Sequence, residues 1–240
     1  LTLTVDQDGG HASTPPKLSA TARLARAIVR LNSTPFRSRF TPTNLEMIRT
    51  VGSHASGPLR WIFRNVALTR PLLLVLFGRL SDETRAMVRT TQAVTMLDGS
   101  QAANALAERA VATVNIRIAV GSSVAETLEH VRNAVHDPLV RLEVLQPNEP
   151  SPVSPTTGAP WQTLVETIGE AFPGTIVTPY VMLAASDSRH FTTISESVYR
   201  FSPFEMSGEE RGTLHAMNER MHVSTFLRGV DFYTRLVRKL

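Results

Sequence analysis

Cysteine is absent from the 240 residues, which excludes disulfide staples, thiolate metal ligands and a cysteine nucleophile while leaving the compartment open. Lysine is nearly absent too. Only Lys17 and Lys239 occur, so the positive charge behind the formal net +4 is almost wholly arginine. Those arginines are scattered and not interleaved with the sparse aromatics, which argues against a nucleic-acid-binding surface. No apolar run is long: Leu72–Phe77 is the most apolar, far short of the ~20 residues that span a bilayer. Several motifs of common active sites are missing as well. There is no Gly-x-Ser-x-Gly elbow, no P-loop, no Gly-x-Gly-x-x-Gly and no His-Glu-x-x-His.

What remains is an ordinary folding composition, 42% hydrophobic and 19% charged, long enough for one large domain or two small ones. The chain opens on Leu1-Thr2-Leu3-Thr4-Val5-Asp6, the strict alternation of a half-buried strand. A chain that begins inside a strand without a methionine is expected to have residues upstream, and any signal peptide among them. After the turn at Gly9-Gly10, the string Ser13-Thr14-Pro15-Pro16 predicts a helix start, with Leu18, Ala22, Ala25, Ile28, Val29 and Asn32 at helical spacing. Residues 34–88 read as an insertion of short helices broken at Pro35, Pro42, Pro58 and Pro71. Its apolar run Leu72–Phe77 suits a buried helix, a subunit contact or a wall for a greasy substrate.

Extended segments are predicted at 90–97, at 110–118 and at Val140–Val144, with a helix between the last two opened by the capping box Ser123-x-x-Glu126. In the strand 110–118, Ala112, Val114, Ile116 and Ile118 point one way and Thr113, Asn115 and Arg117 the other. Strand, helix, strand, strand, helix, strand is the ferredoxin-like order, an antiparallel sheet with helices on one face. Five prolines between Gln146 and Pro160 mark a linker. Beyond it we expect a helix at Trp161–Phe172, strands near 176–181 and 198–201, and a last helix with Val223, Phe226, Leu227, Val230, Tyr233, Leu236 and Val237 on one face. No internal repeat is present.

Two polar clusters stand out in this second part: Ser186-Asp187-Ser188-Arg189-His190 and His215-Ala216-Met217-Asn218-Glu219. A neutral imidazole is the commonest protein metal ligand, and a neighbouring amide or carboxylate can orient it. Taken with Gly9-Gly10-His11-Ala12-Ser13-Thr14-Pro15-Pro16, Asn104 and Asn115-Ile116-Arg117, their order resembles a family of dinuclear zinc hydrolases. That family includes carboxypeptidase S, aminoacylase, acetylornithine deacetylase and succinyl-diaminopimelate desuccinylase. The Gly-Gly-His-Ala-Ser-x-Pro-Pro and Ser-Asp-Ser-Arg-His strings, and the insertion, are most similar to the carboxypeptidase S and N-fatty-acyl amino acid hydrolase branch.

The resemblance covers the whole chain and implies an α+β architecture. Residues 1–150 would be a ferredoxin-like lid and dimerisation domain carrying the insertion, 151–157 a linker, and 158–240 the C-terminal part of an α/β catalytic domain. It implies a homodimer through the lid and a peptide or N-acyl amino acid substrate cleaved beside a free carboxylate. His215 would be a zinc ligand, and His11 the lid histidine that stabilises the oxyanion in the partner subunit's site. Asn104, Arg117, Arg189 and Asn218 would bind substrate. The remaining ligands of the family's dinuclear zinc site, a His-x-Asp pair, a bridging aspartate and a Glu-Glu pair, precede the lid, so this chain alone is expected to be inactive. Two departures are visible: Ala184-Ala185 stands where the family has glycine, and Asn104-Ala105-Leu106-Ala107 replaces its Asn-Val-Ile-Pro. Each residue also has a structural alternative. Arg117 and Arg189 could be ion-pair partners, His11 and Asn104 turn residues, and the whole chain a non-catalytic dimerisation or binding module.

Overall fold

A computed structural model describes residues 1–184 and 186–240; Ala185, one of the two alanines standing at the family's glycine, lies outside the described residues. In chain order the elements are β1 (Thr2–Asp6), β2 (Gly10–His11), α1 (Ala20–Ser33), α2 (Pro42–His54), α3 (Gly57–Arg64), α4 (Val66–Leu80), α5 (Asp82–Val88), β3 (Thr91–Asp98), β4 (Ala105–Leu106), β5 (Arg109–Arg117), α6 (Val124–Val135), β6 (Arg141–Glu143), α7 (Ala159–Ala171), α8 (Ser188–Phe191), α9 (Gly208–Gly212) and α10 (Val223–Lys239). They form two compact units, one of residues Leu1–Leu45 and Val66–Ser151, the other of Glu46–Asn65 and Pro152–Leu240.

The first unit is built on a four-stranded antiparallel sheet in the order β3-β5-β1-β6. With its two covering helices, α1 and α6, this is the ferredoxin-like arrangement. Alternation dictates the faces. Leu3 and Val5 of β1 and Ala110, Ala112 and Val114 of β5 are buried, packing with Leu24, Ala27 and Leu31 of α1 and Val131 and Val135 of α6. Arg117, in the opposite phase of β5, is exposed. Helix α6 starts where its sequence predicts, the Ser123 hydroxyl accepting from the Glu126 N–H at 3.1 Å. The Glu126 carboxylate turns instead to the Ser122 hydroxyl.

Three expectations for the helices change. Helix α1 begins at Ala20, capped by Ser19, not at Ser13-Thr14-Pro15-Pro16. Thr14 and Pro15 each precede a proline, which disfavours the helical conformation, and the Thr14 N–H closes a turn onto the His11 carbonyl. The buried face of α1 is consequently Ala20, Leu24, Ala27 and Leu31, while Val29 is exposed. Pro42 and Pro58 do open helices, but Pro71 lies inside α4. The main-chain hydrogen bond lost there is offset by burial of Val66, Thr69 and Leu73 on the flanking turns.

The second unit packs α7 against α10 through Leu164, Ile168 and Phe232, with Trp161, Phe172, Tyr199 and Leu236 at the margin. The strands expected at 176–181 and 198–201 are absent among the described residues. A strand exists only where a neighbour completes its ladder. Around Val198 that role passes to the Ser154 hydroxyl, which both accepts from its N–H and donates to its carbonyl. The face of α10 also differs from expectation. Thr225, Gly229 and Phe232 are buried, whereas Val223, Phe226, Leu227, Val230, Tyr233 and Val237 are exposed. Gly229 decides this, because it leaves room for the Phe204 ring: a β-carbon there would lie 2.2 Å from Phe204 Cε1. Gly229→Ala is expected to destabilise the second unit by about 1–3 kcal/mol, the usual cost of overpacking. Thermal unfolding of the two proteins checks it; an unchanged midpoint would mean that the Phe204 ring swings aside freely.

Candidate functional site

In the first unit the candidate residues sit at opposite ends of the sheet. β1 runs out at Asp6, opposite Arg109, and the chain continues through the Gln7 N–H to the Glu108 carbonyl into a two-residue ribbon. In this ribbon Gly10 pairs with Leu106 and His11 with Ala105, and the Ala12 N–H donates to the Asn104 carbonyl at 2.9 Å. His11 and Asn104 are thus brought together by main-chain pairing, and both are exposed. The ring of His11 is held from one side. The Ser13 N–H donates to Nδ1 at 3.3 Å, and the Ser13 hydroxyl lies 2.9 Å from the same atom. A main-chain N–H can only donate, so Nδ1 accepts, and a neutral His11 carries its proton on Nε2, free to donate.

Arg117 closes the far end of β5, opposite Thr91. Eight residue steps separate it from Arg109, about 27 Å along the strand, and the His11–Asn104 ribbon lies beyond Arg109. The first unit of one chain therefore does not bring Arg117 to His11 and Asn104. Among the described residues no hydrogen bond or ion pair engages the Arg117 guanidinium. Its neighbours behave otherwise: Arg109 and Arg141 both clasp Asp6, at 2.6 and 2.9 Å.

In the second unit Arg189 lies in the short helix α8, its Nε–H donating to His190 Nε2 at 3.3 Å. Main-chain turns from Ser186 and Asp187 shape this segment, and Arg200 donates to the Ser188 hydroxyl at 2.7 Å. His215 adopts the left-handed conformation, φ 66°, which is uncommon for a residue with a side chain and collects at functional loops. The Glu219 carboxylate stabilises the turn by accepting from the His215 N–H at 3.1 Å. Asn218, within that turn, is exposed. Glu210 caps α9 and its carboxyl is held below the usual range by the Ser207 main-chain N–H and hydroxyl, which outweigh desolvation, with His222 and Arg220 adding to the effect. Glu210 and His222, whose ring nitrogen lies 3.7 Å from it, carried no signal in the sequence beyond their residue types. Among the described residues no three His, Asp or Glu side chains converge as a metal site. His215 is a single candidate ligand, short of the three or so that zinc requires.

A model of the peptidase dimerisation domain family, M20_dimer, matches residues 1–143. The chain belongs to the M20 peptidase family. It is 32% identical over 239 residues to the probable carboxypeptidase S-like 2 of Dictyostelium discoideum, covering 99% of this chain and 46% of that one. To the mouse N-fatty-acyl-amino acid synthase/hydrolase PM20D1 it is 34% identical over 242 residues, 99% of this chain and 48% of the relative. Among solved structures, the fold is similar to an M20 family metallo-carboxypeptidase from Sulfolobus solfataricus. The TM-score is 0.58 at 14% identity, covering 99% of this chain and 56% of that structure. The chain thus spans about half the length of the curated relatives it matches.

Proposed function

We propose that this M20 chain is the lid-bearing half of a hydrolase that cleaves the amide bond of peptides or N-acyl amino acids beside a free carboxylate. The relatives matched over nearly the whole chain are named as a probable carboxypeptidase and an N-fatty-acyl-amino acid synthase/hydrolase. The observation that carries the reading is Arg117, an exposed guanidinium without a partner among the described residues, at a position the family motif assigns to substrate. Its planar fork suits a substrate carboxylate. His11 presents Nε2–H to the oxyanion that develops on the amide carbonyl oxygen when water attacks the carbon, and Asn104, Arg189 and Asn218 fix the substrate's amide and carboxylate. In the complete protein a zinc pair, with His215 as one ligand, would activate the attacking water. Among the described residues no three His, Asp or Glu side chains converge, and beside the one ligand His215 the part played by this chain is binding, orientation and oxyanion stabilisation.

The reading includes a homodimer through the lid. A dipeptide extends about 7 Å, so a single lid cannot reach one small substrate with both His11 and Arg117, whereas two lids can. Strand β3 is a free edge of the sheet, with Val94, Met96 and Leu97 exposed, and suits pairing with a second copy. Mixing the full-length His11→Ala and Arg117→Ala proteins tests the proposal. Each alone is expected to lose most turnover of an N-acyl amino acid. Subunit exchange then restores up to roughly a quarter of wild-type activity, since half the dimers are mixed and one of their two sites is intact. No recovery on exchange would place both residues in one subunit's site or neither. The match of residues 1–143 to a dimerisation domain family supports a second reading, a non-catalytic dimerisation or binding module; that reading predicts exchange without turnover.

A further inference from the structure

We propose that the exposed face of α4 docks on an anionic phospholipid surface, with the helix lying in the headgroup plane. Helix α4 is apolar on nearly every side, a composition expected of a buried or membrane-bound helix. Only part of it is buried, through Val66, Thr69 and Leu73. Leu68, Leu72, Leu76 and Leu80 recur at every fourth residue and remain 75%, 60%, 43% and 66% exposed, with Val75 beside them at 53%. A contiguous apolar stripe of this extent exceeds the scattered exposure normal for a folded surface and marks a contact.

Length and charge say what the contact is. Fifteen residues give a helix of about 22 Å, short of a ~30 Å hydrocarbon core, and no single helix of the described residues is long and apolar enough to cross a membrane. A helix of that length and composition can lie along the surface with its apolar face in the acyl boundary. Within the first unit, residues 34–45 and 66–88 hold five arginines against two carboxylates, a net +3. Arg70 and Arg79 stand on α4 itself, exposed, and neither has an ion-pair partner among the described residues. Pairing this face with a second copy would set two such charges against each other. A lipid phosphate answers both features, taking the leucines into the acyl boundary and the guanidinium forks onto its oxygens.

Flotation of the full-length protein with phosphatidylcholine vesicles, pure or containing roughly a quarter phosphatidylglycerol, tests this. The protein is expected to float with the anionic vesicles and only weakly with the neutral ones, and salt near ~0.5 M weakens the difference by screening. Leu72→Glu/Leu76→Glu and, separately, Arg70→Glu/Arg79→Glu each reduce anionic binding at least tenfold. All four positions are exposed, so circular dichroism and the melting temperature stay at wild-type values. Anionic binding that survives Leu72→Glu/Leu76→Glu, or no binding by the wild type, overturns the proposal. So does a wild-type oligomer that the leucine variant dissociates while neither protein floats, which would assign the face to a second copy. Saturable binding of monomeric laurate without vesicle binding would assign it to an acyl chain and overturn it equally.

Discussion

Arg117→Ala in the complete protein is expected to raise KM markedly and to lower kcat/KM on a carboxylate substrate by about 2–5 kcal/mol, the range for losing one partner of a desolvated charged pair. The sidedness of β5 underlies this. Ala110, Ala112 and Val114 fill the core beneath α1 and α6, so Arg117, three residues beyond Val114, presents its guanidinium on the other face, where it is exposed. A substrate analogue with an amidated carboxyl group has already lost the partner charge and should lose little more on mutation. The acid/amide preference is therefore the quantity to measure, on both substrates and both proteins. If Arg117 were instead a structural ion-pair residue, the mutation would lower the melting temperature and spare that preference. No carboxylate pairs with Arg117 among the described residues, in contrast to Arg109 and Arg141 on Asp6. An unchanged acid/amide ratio would remove Arg117 from the site.

How much of this was legible depends on the range of the interaction that decides each feature. The alternation of Leu1–Asp6 and of Ala112, Val114 and Ile116 is a direct consequence of the two-residue period of a strand, and both ladders lie where the pattern puts them. The Ser123 cap is equally local. Features decided at a distance were not legible. The segments 176–181 and 198–201 have strand composition, but composition does not supply a neighbour, and Ser154, 44 residues away, takes the hydrogen bonds of Val198. The buried face of α10 is set by a glycine that admits an aromatic ring from another segment, whereas a stripe of Val, Phe and Leu advertised the other side. In the candidate site, residue types and motif order were readable through the family resemblance. The separation of His11 from Arg117 was not, because it follows from the register of β1 on β5 and from the ribbon that continues it.

A large electrostatic contribution to the stability of the first unit is expected at Asp137, which ties α1 to the turn after α6. Both carboxylate oxygens accept from Arg23 Nη1, at 2.8 and 2.7 Å, one also from Arg26 Nη2 at 2.9 Å and the other from the Leu139 N–H at 3.1 Å. The Asp137 side chain is only 6% exposed, against 20% for Arg23 and 45% for Arg26. Burial pushes its carboxyl up, but the Leu139 N–H and the two guanidinium groups outweigh this and hold it below the ordinary value. A depressed carboxylate stabilises the fold fully above its unfolded pKa of ~3.9 and loses that contribution as pH falls through the folded value. Asp137→Asn should therefore cost about 1.5–3 kcal/mol at neutral pH, less than a fully buried pair would because Arg26 remains half in water. Urea unfolding at neutral pH and along the acid limb below about pH 4 separates charge from shape. The gap between wild type and variant should shrink steadily there, since a protonated Asp137 is nearly the isostere of asparagine. Arg26→Gln, which removes one exposed contact, should cost less than Arg23→Gln, which removes two. A gap of constant size down the acid limb would mean that Asp137 acts through packing, and its charge would then have no part in holding the first unit together.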